Sequence, residues 1–145
     1  MGEVKGMEEK IVPEYIIKAI ENKYNDEYKA KIALDKAEGL ISSYFSELKY
    51  TLKNYFKNLN HKIKLEINTD KYIAYLQIED EYIYFKRENE CISVFMKIEN
   101  KEHHYKDIIP NSEWDGCEIG GYKFWQGEIN RCLKKAFNFI PQHNT

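Results

Sequence analysis

The stretch KYIAYLQIEDEYIYFKR, Lys71–Arg87, decides the reading of this chain. Ala74, Leu76 and Ile78 alternate with Ile73, Tyr75 and Gln77, and after a polar link Ile83 and Phe85 alternate with Tyr82, Tyr84 and Lys86. Period-two alternation is the signature of a β-strand, whose successive side chains point to opposite faces. The link Glu79-Asp80-Glu81 is short, which favours an antiparallel hairpin over a crossover. Both faces of this hairpin carry large apolar or aromatic side chains. One face covers a core, and the other asks for a second cover.

Working outward, residues 62–69, 72–78, 82–87 and 91–99 read as successive strands, with a fifth near 104–109 ahead of Pro110-Asn111-Ser112. CEIGGYKF, residues 117–124, has the composition of a tight hairpin around Gly120-Gly121, whose central residues need positive φ. Alternation assigns Ile63, Leu65, Ile67, Ala74, Leu76, Ile78, Ile83, Phe85, Ile92, Val94, Met96 and Ile98 to the core face.

The ends of the chain are helical in pattern. Pro13 suits a first helical turn, and Ile16, Ile17, Ile20 and Tyr24 follow at helical spacing, giving a short helix over 13–24. Asn25 or Asp26 then offers an N-cap for a second helix of roughly thirty residues, in which Ala30, Leu34, Ala37, Ile41, Tyr44 with Phe45, Leu48, Leu52, Tyr55 and Leu59 step by three and four. Gly39 is where it could bend. Its apolar stripe is long enough to run past the chain's own sheet and suits pairing with another helix. Trp125, Ile129, Cys132, Leu133, Ala136, Phe137 and Ile140 line a closing helix that stops at Pro141. The expected architecture is one α+β domain over residues 13–141: a short and a long N-terminal helix, an antiparallel meander of five to seven strands, and a C-terminal amphipathic helix. Residues 1–12 are expected to be a flexible N-terminus, with Met7 an alternative start, and 142–145 a tail.

Composition narrows the function classes. The chain has 145 residues, 43% hydrophobic, 14% aromatic and 32% charged, which is enough apolar material for one core. The 24 acidic and 22 basic side chains nearly cancel, so bulk charge gives no push toward nucleic acid or anionic membrane. Only Arg87 and Arg131 are Arg, which counts against bidentate reading of bases. Cys91, Cys117 and Cys132 are sparse, odd in number and without a C-x-x-C pair, as in a reducing cytoplasm. The sequence shows no run of about 20 apolar residues that would span a membrane. The excess of Lys, Ile, Asn and Tyr fits an AT-rich bacterial genome.

The second sheet face carries Ile73, Tyr75, Tyr82, Tyr84 and Phe95 among Lys64, Glu66, Ser93 and Lys97. A solvated face would be polar throughout. Helices on both sides of the sheet, another protein surface (a partner or a second copy in a homodimer), or a single nucleic-acid strand stacked on the rings would each cover it. Trp114, in a loop, is a further candidate contact residue. The expected function is a protein-binding or regulatory module acting through Tyr75, Tyr82, Tyr84, Phe95 and Trp114, the long helix, or both, without cofactor or metal.

A hydrolase-type enzyme is the first alternative. His103, His104, Tyr105, Asp107, Glu113, Asp115 and Cys117 are the densest set of proton-transfer and ligand types, and His103, His104, Asp107 and Cys117 are its catalytic candidates. Adjacent histidines on a strand point to opposite faces, and no H-x-H or H-x-x-x-H spacing brings both to one ion. No phosphate-binding glycine loop or nucleophile-elbow motif is present. Lys49, Lys53 and Lys57 make a basic stripe near the end of the long helix, where cations also complement the helix dipole.

Overall fold

The computed structural model describes residues 11–111, 113 and 115–141. The expected start at Met7, the loop residues Ser112 and Trp114, and the tail 142–145 lie outside the described residues.

Helix α1, Glu14–Thr51, and the short α2, Lys53–Asn58, precede seven strands: β1 Ile63–Ile67, β2 Ala74–Ile78, β3 Glu81–Arg87, β4 Ile92–Ile98, β5 Lys101–Asn111, β6 Gly116–Ile119 and β7 Tyr122–Lys123. Helix α3, Gln126–Ala136, closes the chain. The strands form one antiparallel sheet in sequence order, so every strand pairs with its neighbour in the chain. This is the expected α+β architecture.

Two details of the helices differ from expectation. The chain does not restart at Asn25: α1 runs unbroken for 38 residues, through Asn25, Asp26 and Gly39, and the interruption falls at Leu52 instead. A residue of capping type ends a helix only if its backbone leaves helical angles, and within a helix Asn or Asp costs under about 1 kcal/mol relative to Ala. At the other end, α3 stops at Ala136, because Phe137 turns to extended angles (φ -126, ψ 100) and is itself buried.

The register explains the core. Leu65 pairs with Leu76, Leu76 with Ile83 and Ile83 with Met96, while Ile67, Ala74, Phe85 and Val94 form the next row on the same face. Onto these rows α1 lays Ala33, Leu34, Ala37, Ile41 and Phe45, and α3 lays Ile129, Cys132, Leu133 and Ala136, all in one buried cluster. The rings of Phe45 and Phe85 meet at 5.7 Å. The two helices touch through Tyr44, whose hydroxyl donates to Asn130 Oδ1 at 2.5 Å. Both therefore sit on the aliphatic side of the sheet, and the molecule has two layers. The arrangement with a helix on each side is not the one adopted.

The turns obey their residues. Gly120 and Gly121 have φ of +56° and +86°, and Glu99 and Asn100, between β4 and β5, also lie in the left-handed region. Two consecutive positive φ values are the hairpin geometry whose twist matches that of the flanking strands.

Candidate binding surface

With both helices on one side, the opposite face of the sheet presents a row of aromatic rings. Tyr75 pairs with Tyr84, Tyr84 with Phe95 and Phe95 with His104, one step along each strand. Tyr84 and Phe95 are stacked at 5.1 Å and Phe95 and His104 at 4.9 Å. Tyr75 and Tyr82 stack at 5.4 Å. The tyrosines and Phe95 are half-buried.

Two departures from strict alternation complete this row. The first is at the entry to β2. Ile73, expected on the aromatic face, is buried with the core, and Tyr72 takes the outer position, 4.7 Å from Tyr84 and 5.1 Å from Tyr75. Residues 71–73 form a bend ahead of the strand, so the two side chains exchange faces. The second is a bulge in β5: Val94 faces Lys106 and Phe95 faces His104, leaving Tyr105 as the extra residue. His104 and Asp107 would point to opposite faces of a regular strand. The bulge returns them to one face, where His104 Nε2 lies 2.6 Å from Asp107 Oδ1.

Acidic and amide groups tie down the phenol ends. Tyr82 donates to one oxygen of Glu102 and Tyr84 to the other at 3.3 Å. Tyr75 donates to Gln77 Oε1 at 2.5 Å. The Glu102 carboxylate raises the phenol of Tyr82 well above its ordinary value, and burial, with Glu102 second, pushes Tyr84 up to about 12. Lys97 reaches over the Tyr82 ring at 5.9 Å.

The polar set from His103 to Cys117 does not gather in one cleft. His104 and Asp107 are on the aromatic face, His103 pairs with Met96 on the other, and Glu113 and Asp115 are exposed, Asp115 facing Lys36 at 3.7 Å. Cys117 is buried beneath α1 and donates to the carbonyl of Ala33 at 3.3 Å, and burial pushes its thiol up to about 11. Among the described residues, no three His, Cys, Asp or Glu side chains are grouped to hold a metal ion. No helix among them is long and apolar enough to cross a membrane.

A second apolar surface lies on the first half of α1. Its buried side chains begin at Ala33, and Tyr15, Ile16, Ile20, Tyr24 and Tyr28 ahead of that point are all exposed. Trp125, at the start of α3, is 54% exposed, with its ring lying over Gly127. No protein-family model, curated protein or solved structure matches this chain.

Of the contact candidates read from sequence, Tyr75, Tyr82, Tyr84 and Phe95 share the face as expected, and Trp114 lies outside the described residues. Tyr72 and His104 join them without having been expected to. For Tyr72 the available signal was Thr69, whose hydroxyl accepts from the Lys71 and Tyr72 amides and so bends the chain just ahead of β2.

Proposed function

We propose that this chain is a small cytoplasmic protein-binding module whose docking surface is the aromatic face of the sheet. The observation that carries the reading is the continuous ring row Tyr72, Tyr75, Tyr82, Tyr84, Phe95 and His104, left half-exposed because both helices lie on the other side. Tyr and Phe are enriched in the cores of protein interfaces, and rings held by their neighbours lose little freedom on docking. Charge on the face supports a protein over a nucleic-acid strand: Lys64, Lys86 and Lys97 are offset by Glu66, Glu102 and Asp107, and Glu102 sits at the phenol ends, where phosphates would be repelled. The division of the His103 to Cys117 set between two faces and the core favours binding over hydrolysis.

The test is affinity capture from the native cell with the full chain and with a Tyr75→Ser, Tyr84→Ser double variant. A specific partner retained by the first and lost by the second, with both proteins folded, supports the reading. Equal retention by both would remove the aromatic face from consideration.

A further inference from the structure

Strand β1 is an outer edge of the sheet, with β2 its one strand neighbour among the described residues. Its backbone parity is fixed by the bonds at its ends. Lys62 accepts at its carbonyl from the Glu79 amide at 2.6 Å, and the Asn68 amide donates to the Ile73 carbonyl at 2.8 Å. In an antiparallel ladder alternate residues face the partner strand, so Lys64 and Glu66 turn their peptide groups to β2 while Ile63, Leu65 and Ile67 turn theirs outward. The Ile63 amide is occupied by the Leu59 carbonyl at 3.0 Å. Leu65 and Ile67 thus offer outward amides, and Ile63, Leu65 and Ile67 outward carbonyls. An open groove lined by Lys49, Lys64, Leu65, Ile67, Lys71 and Tyr75 runs along this edge, so space for another strand exists.

The side chains of this edge are self-complementary. The strand reads Ile63-Lys64-Leu65-Glu66-Ile67. Turned end for end about Leu65, it sets Lys64 opposite Glu66 and Glu66 opposite Lys64 on the aromatic face, and Ile63 opposite Ile67 on the core face, with Leu65 against its own copy. Residues directly opposite in an antiparallel pair share a face, so these are true neighbours. The same operation joins each outward Leu65 amide to the second copy's Leu65 carbonyl, and each Ile67 amide to the second copy's Ile63 carbonyl. The occupied Ile63 amide is not needed for any of these bonds. In the single chain Lys64 Nζ reaches its own Glu66 at 3.4 Å, so both side chains already lie where the cross-strand exchange requires them.

We propose that β1 pairs antiparallel with β1 of a second copy of this chain, centred on Leu65, joining two sheets into one. The interface is isologous, closes on itself and removes an exposed edge from each copy. It is independent of the docking function of the aromatic face, because it uses the edge and leaves the rings free. It also sets two aromatic rows side by side on one continuous surface, a bivalent arrangement for a repeated or dimeric partner.

The experiment is light scattering of the full chain across a concentration series, with K64E, E66K and the K64E/E66K double variant. The expected result is a reversible dimer whose dissociation constant rises roughly tenfold or more in each single variant, where like charges meet twice, and recovers in the double variant. Ile67→Pro removes an outward amide that β2 does not use and should also give monomer. Circular dichroism establishes that each variant is folded. A strict monomer at all concentrations, with Leu65 and Ile67 amides exchanging freely with solvent, overturns the proposal, as does a dimer indifferent to the charge reversals.

Discussion

Arg87 Nη1 lies 2.7 Å from Glu38 Oε1 and 3.1 Å from Asp35 Oδ1, so a single guanidinium at the end of β3 joins the sheet to two successive turns of α1. Side chains 49 and 52 residues apart are brought together. The arginine is one quarter exposed and its partners somewhat more, which keeps the gain modest.

Replacement of Arg87 by Ala should lower unfolding stability by about 1 kcal/mol at neutral pH. Lys31 and then Arg87 hold the Asp35 carboxyl below its ordinary value. A depressed folded value contributes stability that is present above the unfolded pKa, near ~3.9, and is lost as pH falls through the folded one. The deficit of the variant should therefore shrink in acid. Urea unfolding at pH 7 and pH 3 measures this, and an undiminished deficit at pH 3 would contradict it.

The phenols of Tyr82 and Tyr84 should titrate late. Tyr84 is pushed up to about 12 and Tyr82 is raised further. A raised folded value means that the stabilisation is complete below the unfolded pKa of about 10 and disappears as pH rises through the folded one. Alkaline unfolding should begin between these limits. Glu102→Gln removes the carboxylate and should bring both phenols down toward their ordinary range, with Tyr82 moving further because Glu102 is its largest cause. Phenolate absorbance against pH reads this directly.

Two glycines should respond to Ala with opposite signs. Gly39 lies in the unbroken helix with nothing within 4 Å of an added Cβ, so Gly39→Ala should stabilise by roughly 0.5–1 kcal/mol. Gly120 has φ +56°, and a Cβ there would meet Lys106 Nζ at 2.8 Å. Gly120→Ala should destabilise by about 1 kcal/mol. Thermal unfolding of the two variants would show shifts in opposite directions.

The three thiols should divide by burial. Cys91 is half-exposed, whereas burial pushes Cys117 to about 11 and Cys132 to about 12. Because the thiolate is the reactive form, a disulfide reagent at mildly alkaline pH should label Cys91 quickly and the other two only on unfolding. Three fast thiols in the native protein would contradict the packing of α1 and α3.

Alternation alone sufficed for the rows Leu65, Leu76, Ile83, Met96 and Tyr75, Tyr84, Phe95, because a buried face fixes register at every second residue. It misplaced Ile73 and could not include Tyr72 or His104, since a bend and a bulge each shift parity by one and leave no periodic trace. The helix boundary failed for a different reason. Asn25 and Asp26 cap a helix when the preceding chain leaves it, and whether it leaves depends on backbone angles that side-chain type only biases. The side on which α3 rests was not legible at all: an amphipathic stripe says that a helix packs, not which of two apolar faces receives it.

The sequential strand order has a temporal consequence. Each strand of the meander needs only the segment just made, so the sheet can assemble by short steps as the chain emerges. The helix is under the opposite constraint. Its carbonyl at Ala33 waits for Cys117, 84 residues later, and Lys36 waits for Asp115. A helix synthesised ahead of every strand of the sheet is thus fully seated only when β6 arrives, and during translation the part of its apolar stripe still uncovered must be sheltered or tolerated until then.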